Sequence, residues 1–257
     1  MGFVACVRGL FYFGQMSDLN EPKIDAERRR ARGAQSNAAS RYDAQREEVQ
    51  DGWDIPEERA AFATEVSEER PRSVITRNTS PDIPFDRSLN PYRGCEHGCT
   101  YCFARPTHAY LGLSPGLDFE SKLVARPKAA EVLEKELRRK GYQPSLLAIG
   151  TNTDPYQPIE RRYRVMRSVL EVLQRFKHPV AITTKGTLVE RDIDILSEMA
   201  AQGLAQVGIS LTTMDVALSR AMEPRCPLPQ RRMQTIRRLA DAGIPVRVML
   251  APVVPGL

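Results

Sequence analysis

No apolar run in the sequence approaches the ~20 residues that a membrane-spanning helix needs. Cysteine is scarce: five in 257 residues, three of them within eight positions. That is too few and too clustered for a disulfide framework, which excludes the small stapled secreted scaffolds. The apolar start "MGFVACVRGLFYFGQM" is interrupted by Arg8, and no small-residue cleavage site follows it, so it does not read as a signal peptide. A cytoplasmic chain is expected, with residues 1–15 as an upstream extension before Met16. No Gly-x-Gly-x-x-Gly follows the first predicted strand, and no Walker A sequence occurs. The two commonest nucleotide-binding readings of an α/β chain lose their main support. Charge of one sign is also modest: the formal net charge of +5 permits an anionic partner without demanding one.

What is present divides into two textures. Residues 16–87 are polar and charge-rich, with Arg28, Arg29, Arg30 and Arg32 in one run. A solvated or disordered arm is the simpler expectation, and a nucleic-acid-binding arm is the alternative. Tyr42 and Trp53 are candidates to dock part of it. The expected organisation is an arm over residues 1–87 and a folded core over residues 88–257. From Ser88 onward short apolar runs alternate with amphipathic stretches. Strands are predicted over residues 88–92, 145–150, 180–184, 205–213 and 245–253, and helices over 130–140, 161–176, 191–202 and 230–242. Strict alternation implies a parallel sheet with right-handed crossovers. The polar residues cluster just past the strand ends, in "GTNTDPYQPIE", "TTKG", "SLTT", "MEPR" and "APVVPG". Ligands of parallel α/β folds bind at that edge. Five strands suit a doubly wound sheet or part of a (β/α) barrel, and an edge that brings every strand end to one mouth favours a barrel or half barrel, so a partial (β/α) barrel is expected.

The stretch "GCEHGCTYCFARPTHAY" carries Cys95, Cys99 and Cys102 with spacing C-x3-C-x2-C. Structural zinc is normally closed by four protein ligands, and neither His97 nor His108 is well spaced to complete the set. An iron–sulfur cluster fits better, because a cubane on three cysteines leaves one iron free for a small chelating molecule. Gly94 and Gly98 would let the backbone pass close to such a cluster. His97 would hydrogen-bond the cluster, face a substrate, or be an ordinary loop histidine satisfied by backbone. His178 sits at the opposite strand end and is expected to be structural.

The motif C-x3-C-x-aromatic-C after a first strand, followed by βα repeats, resembles the radical S-adenosylmethionine (SAM) superfamily. "PYRGCEHGCTYCFARPTHAYLGLSPGLDFESKL", "TTKG", "MEPRCPLPQRR" and "AGIPVRVMLAPVVPGL" resemble its DNA-repair-photolyase-like branch, related to spore photoproduct lyase. The likeness runs from about residue 70 onward, and "RGAQSN" in the arm resembles one bacterial subgroup of that branch. The resemblance implies a [4Fe–4S] cluster on Cys95, Cys99 and Cys102, with SAM on the open iron. It implies one-electron cleavage of SAM to a 5′-deoxyadenosyl radical that takes a hydrogen atom from a substrate, a nucleic acid base being one candidate. A flavodoxin- or ferredoxin-type reductant would supply the electron.

By the same resemblance, Tyr101 and Phe103 would lie near the adenine, and Thr151, Thr153 and Asp154 near the SAM amino group. Lys185 would contact SAM and Ser210 the ribose. Arg225 would pair with the SAM carboxylate, oriented by Glu223, and the Ala251 backbone would meet the adenine. Spore photoproduct lyases place a hydrogen-donating cysteine near the end of the second strand, where this chain reads Ile149-Gly150-Thr151. Cys226 is the alternative donor. A non-catalytic iron–sulfur or zinc protein that binds nucleic acid is the competing function. Similar proteins continue beyond the fifth predicted strand, so the chain is expected to be C-terminally truncated and, as it stands, of reduced activity.

Overall fold

Aliphatic and β-branched runs at period two, and apolar stripes at period 3.6, set most of the architecture. A computed structural model describes residues 23–29, 31–38 and 63–255. Residues 1–15, Arg30, Tyr42 and Trp53 lie outside the described residues. The N-terminal part contains α1 (Ala26–Arg29), β1 (Glu65–Glu68), β2 (Thr76–Arg77), β3 (Arg87–Leu89) and β4 (Tyr92–Arg93). A 3-10 turn (Arg105–Leu111), α2 (Asp118–Ser121) and β5 (Lys122–Ala125) follow. Then come α3 (Ala129–Leu137), β6 (Leu147–Ile149), α4 (Glu160–Tyr163), α5 (Val165–Arg175) and β7 (Val180–Thr184). A second 3-10 turn (Thr187–Asp192) leads to α6 (Ile193–Ala201), β8 (Ala205–Ser210), α7 (Val216–Met222), α8 (Pro229–Asp241) and β9 (Val246–Met249).

The main sheet has the order β2-β3-β6-β7-β8-β9. Strands β3, β6, β7, β8 and β9 run parallel, and β2 is an antiparallel margin on β3. The five parallel strands are the five expected from sequence, and they form the partial (β/α) barrel. Leu147, Ile149, Val180, Ile182, Val207 and Ile209, alternate residues on one face of their strands, are all buried beneath the helices. α5 packs Val165, Met166, Val169, Leu170 and Leu173 into the same core. α6 and α8 each hand over to a glycine with positive φ, Gly203 and Gly243, the usual left-handed end of a helix. Val248 and Met249 on the margin strand β9 are exposed. Among the described residues no helix is long and apolar enough to cross a membrane.

Two features differ from expectation. The strand expected over 88–92 is split: Pro91 has no N–H to continue the ladder, and Tyr92 belongs to a second sheet. That sheet, β1-β5-β4, pairs β1 parallel and β4 antiparallel to β5. Its strands are two to four residues long and carry no period to read. Segments before residue 88 are bonded into the fold. Glu69 pairs with Arg93 at 3.0 Å and Arg126 at 3.1 Å. The Glu136 carboxylate accepts from the Ser73 hydroxyl and from the Val74 and Ile75 N–H groups.

Glu190 ties the second 3-10 turn to α8, accepting from Arg231, Thr235 (2.6 Å) and Arg238 (2.6 Å). Burial pushes its carboxyl up, but those three hydrogen bonds outweigh it and hold the group at about 2. A carboxyl held below its ordinary value adds stability above the unfolded range, and that stability is lost as pH falls toward the folded value. The urea midpoint of Glu190→Gln is therefore expected to lie below that of the wild type at pH 7. The gap should narrow from pH 4.5 downward and close near pH 2. An equal gap at pH 7 and pH 2.5 would contradict this role.

Candidate active site at the thiol loop and strand ends

The thiol loop leaves β4 through Gly94 and turns again at Gly98, both with left-handed φ (72° and 66°) that glycine adopts without strain. Neither site has room for a side chain. A Cβ on Gly94 would lie 2.9 Å from the Phe119 carbonyl, and one on Gly98 would lie 2.8 Å from the Glu120 carboxylate. The Cys95 N–H donates to the Phe119 carbonyl at 2.9 Å. Gln157, fully buried, brackets Cys95: its amide donates to the Gly94 carbonyl and accepts from the Glu96 N–H, both at 3.1 Å. Arg105 donates to the Cys99 carbonyl at 3.0 Å. The loop is thus fixed by backbone bonds on either side of its thiols.

All three thiols are free; Cys95 and Cys99 are buried and Cys102 is half-buried. Burial, with the nearby Cys95 and Cys99 sulfurs, pushes the Cys102 thiol up to about 11. Cys226 lies 3.9 Å from Cys99, sulfur to sulfur. That contact, helped by Lys185 and His97, outweighs burial and brings the Cys99 thiol down to about 7. A single zinc ion, with bonds of about 2.3 Å, needs its sulfurs about 3.8 Å apart. Among the described residues no three Cys, His, Asp or Glu side chains are gathered that closely. A cubane spreads its cysteines over different irons, and three soft thiols on a glycine-hinged loop fit that demand.

Asp154, in the loop that follows β6, keeps only 9% of its side chain exposed and accepts from four donors. These are the Tyr156 N–H (2.9 Å), the Thr184 hydroxyl (2.6 Å), the Lys185 N–H (2.6 Å) and His97 Nδ1 (3.3 Å). Burial opposes its charge, yet His97 and the hydrogen bonds hold the carboxyl at about 2. Burial likewise disfavours a charged His97, but Asp154 and Cys95 outweigh it and raise the imidazole well above its ordinary value. His97 is therefore satisfied by a carboxylate, not by backbone. The pair ties the thiol loop to the ends of β6 and β7.

A second buried network closes the β7 and β8 side. Glu223 accepts from the Tyr101 hydroxyl, from Thr212 at 2.9 Å and from Arg232. Lys185 lies 4.0 Å from Glu223, with its ammonium 5.6 Å from the Tyr101 ring centre. Burial raises the Glu223 carboxyl, but Arg232 and Lys185 outweigh it and keep the group ionised. Burial would lower Lys185, but Cys99, Tyr101 and Glu223 raise it, so the ammonium persists. Arg232 is itself buried and donates to the Ser210 carbonyl at 3.0 Å and the Pro227 carbonyl at 2.8 Å.

Of the residues expected from sequence, Tyr101, Lys185, Glu223, Cys99 and Cys226 are brought together. Ser210 joins through its carbonyl, and Ala251 through a carbonyl that accepts from Thr212 at 3.3 Å. Thr151 accepts from Asn90 at 3.3 Å, while the Thr153 hydroxyl is turned inward to the Tyr92 carbonyl at 2.8 Å. Phe103 is 72% exposed. The expected Arg225–Glu223 pair is corrected. Glu223 spends its oxygens on Arg232, Tyr101 and Thr212, and Arg225 turns to Glu96 at 3.6 Å. Sequence reasoning passed over Gln157, Glu120, Thr212 and Arg232. Arg232 carried a signal: it shares the inward stripe of α8 with Thr235 and Leu239.

Two kinds of comparison bear on this arrangement. An uncharacterized protein of Mycobacterium tuberculosis is 45% identical over 175 residues, which cover 68% of this chain and 52% of that protein. Another, of Methanocaldococcus jannaschii, is 25% identical over 170 residues, 66% of this chain and 61% of that one. The chain spans about half the length of the mycobacterial relative. A solved structure of a spore photoproduct lyase mutant aligns with TM-score 0.57 at 15% identity, over 75% of this chain and 52% of that one. Spore photoproduct lyase complexed with dinucleoside spore photoproduct aligns with TM-score 0.56 at 15% identity, over 74% and 52%. At such identity these structures speak for the partial barrel alone. The family is carried by sequence: residues 89–257, which include the three thiols and every strand end described above, match the model of the radical SAM superfamily, and the chain belongs to it.

Proposed function

We propose that the protein is a radical SAM enzyme that holds a [4Fe–4S] cluster on Cys95, Cys99 and Cys102 and acts on a substrate through hydrogen abstraction. The observation that carries this is the thiol loop itself: three free thiols, bracketed by Gln157 and Arg105, beside the half-buried Lys185 ammonium and the Tyr101 ring. When bound, the cluster and SAM supply a one-electron cleavage to methionine and a 5′-deoxyadenosyl radical, the electron coming from a flavodoxin- or ferredoxin-type protein.

The chain's own residues have distinct tasks in this reading. Lys185 supplies fixed positive charge beside Cys99, suited to an anionic cluster and to the SAM carboxylate, and Arg225 is a second cation for that carboxylate. Tyr101 offers a ring for the adenine and is held by Glu223. Thr151, Ser210 and the Ala251 carbonyl supply polar atoms along the strand ends, and exposed Phe103 is free to cover a bound ligand. Asp154 and Thr153, whose polar atoms are already engaged, act as positioning residues. Cys226, buried against Cys99, belongs to the cluster's surroundings and not to hydrogen donation. The spore photoproduct lyase likeness makes a nucleic acid base the first substrate class to try, in the cytoplasm.

Anaerobic reconstitution and titration with SAM test the proposal. About four irons per chain are expected, with an electron paramagnetic resonance spectrum of the reduced protein that shifts on adding SAM. A cluster whose spectrum ignores SAM would mark a structural clip and overturn the enzymatic reading.

A further inference from the structure

We propose that residues 32–37, "RGAQSN", are a strap that fixes the thiol loop, and that cluster retention depends on it; the second clause rests on the function proposed above. The segment's polar composition conceals a set of specific partners. The buried Arg32 guanidinium donates to the Glu120 carbonyl and to the Thr64 hydroxyl (3.0 Å). The next two N–H groups, of Gly33 and Ala34, donate to the Glu120 carboxylate at 2.9 and 2.8 Å. Asn37 makes a two-way pair with Asp118, its amide donating at 3.1 Å and accepting the Asp118 N–H at 3.0 Å. The Ser36 carbonyl accepts from the Leu117 N–H at 3.2 Å.

Glu120 connects this strap to the thiols. Its carboxylate is fully buried and takes a third donor, Arg105, which also holds the Cys99 carbonyl. A buried carboxylate is tolerated only with its charge and lone pairs matched. Lifting the strap removes two N–H donors and leaves Glu120 under-satisfied beside Arg105 and Cys99. The strap also touches the loop directly. A Cβ on Gly33 would lie 1.9 Å from the Gly98 carbonyl, one residue before Cys99. Two glycines meet there because no side chain fits between the segments. The strap is therefore a positioning element: it bonds to no thiol, yet it sets the backbone on which Cys99 sits.

The test uses Gly33→Val, which forces the strap off the loop, and Glu120→Gln, which keeps shape but cannot accept from both N–H groups. Gly141→Ala, at a site with left-handed φ and open space around it, controls for general destabilisation. In cluster-free protein, the peptide carrying Cys95, Cys99 and Cys102 is followed by mass spectrometry during alkylation with iodoacetamide. Labelling about tenfold faster than wild type is expected in both strap variants, with unchanged far-ultraviolet circular dichroism and no change for Gly141→Ala. Iron retained after reconstitution should fall at least about twofold in the same two proteins. Wild-type labelling rates in both Glu120→Gln and a folded Gly33→Val would overturn the strap. Wild-type iron in both, despite faster labelling, would overturn its link to cluster retention. Faster labelling in a protein whose wild type takes up no iron would support the strap and defeat the cluster reading.

Discussion

Cys102→Ala is expected to abolish 5′-deoxyadenosine formation from SAM under dithionite, by well over about 100-fold, while leaving the fold in place. Losing a residue that merely supports a metal ligand costs about 10–100-fold, and Cys102 is proposed as a ligand itself. The fold should survive because Cys102 is half-buried and packs beside Cys95, Ala104 and Phe119, a small cluster separate from the main core. The melting temperature should move little. The assay needs no knowledge of the substrate, because SAM cleavage itself is read. A variant that keeps its iron and its product yield would sink the assignment of the three thiols. One that loses its fold would show that the loop is structural first and catalytic second.

The parts that were legible in the sequence share a cause. β7, β8 and α5 are long enough for hydrophobic periodicity to declare itself, and each satisfies its backbone locally or with a neighbouring strand. The three cysteines were legible because their spacing has few uses. What escaped is decided by tertiary partners. β1 reads Glu-Val-Ser-Glu and is a strand only because β5 offers it a ladder. Asp154 reads as a strand-end carboxylate for the SAM amino group, yet its oxygens go to His97, Thr184 and two N–H groups. The strap reads as a polar arm because its partners, Glu120 and Asp118, lie more than 80 residues away in the sequence. A charged residue in the sequence announces a need for a partner but not where that partner lies.

Arg232→Leu is expected to destabilise the protein by about 3–5 kcal/mol, the cost of breaking a buried ion pair from one side. Arg232 and Glu223 are each 1% exposed at the side chain, so water cannot replace the lost partner. The Ser210 and Pro227 carbonyls would lose their donors as well. For a chain of this size the loss corresponds to a fall in melting temperature on the order of 10 °C. Adding Glu223→Gln should restore part of it, because the stranded charge is then gone; the double variant separates charge from packing. The pH dependence gives an independent check. In the wild type Arg232 and Lys185 outweigh burial and hold the Glu223 carboxyl low, so its contribution is present above the unfolded carboxyl range and fades as pH falls. Without Arg232, burial prevails more and the carboxyl rises, so protonation at mildly acidic pH relieves the variant. The deficit of Arg232→Leu should therefore be larger at pH 8 than at pH 5. Melts within about 2 °C of wild type at pH 8, or a deficit that grows on acidification, would show that Glu223 does not depend on Arg232. Tyr101 and Lys185 would then need another explanation for their order.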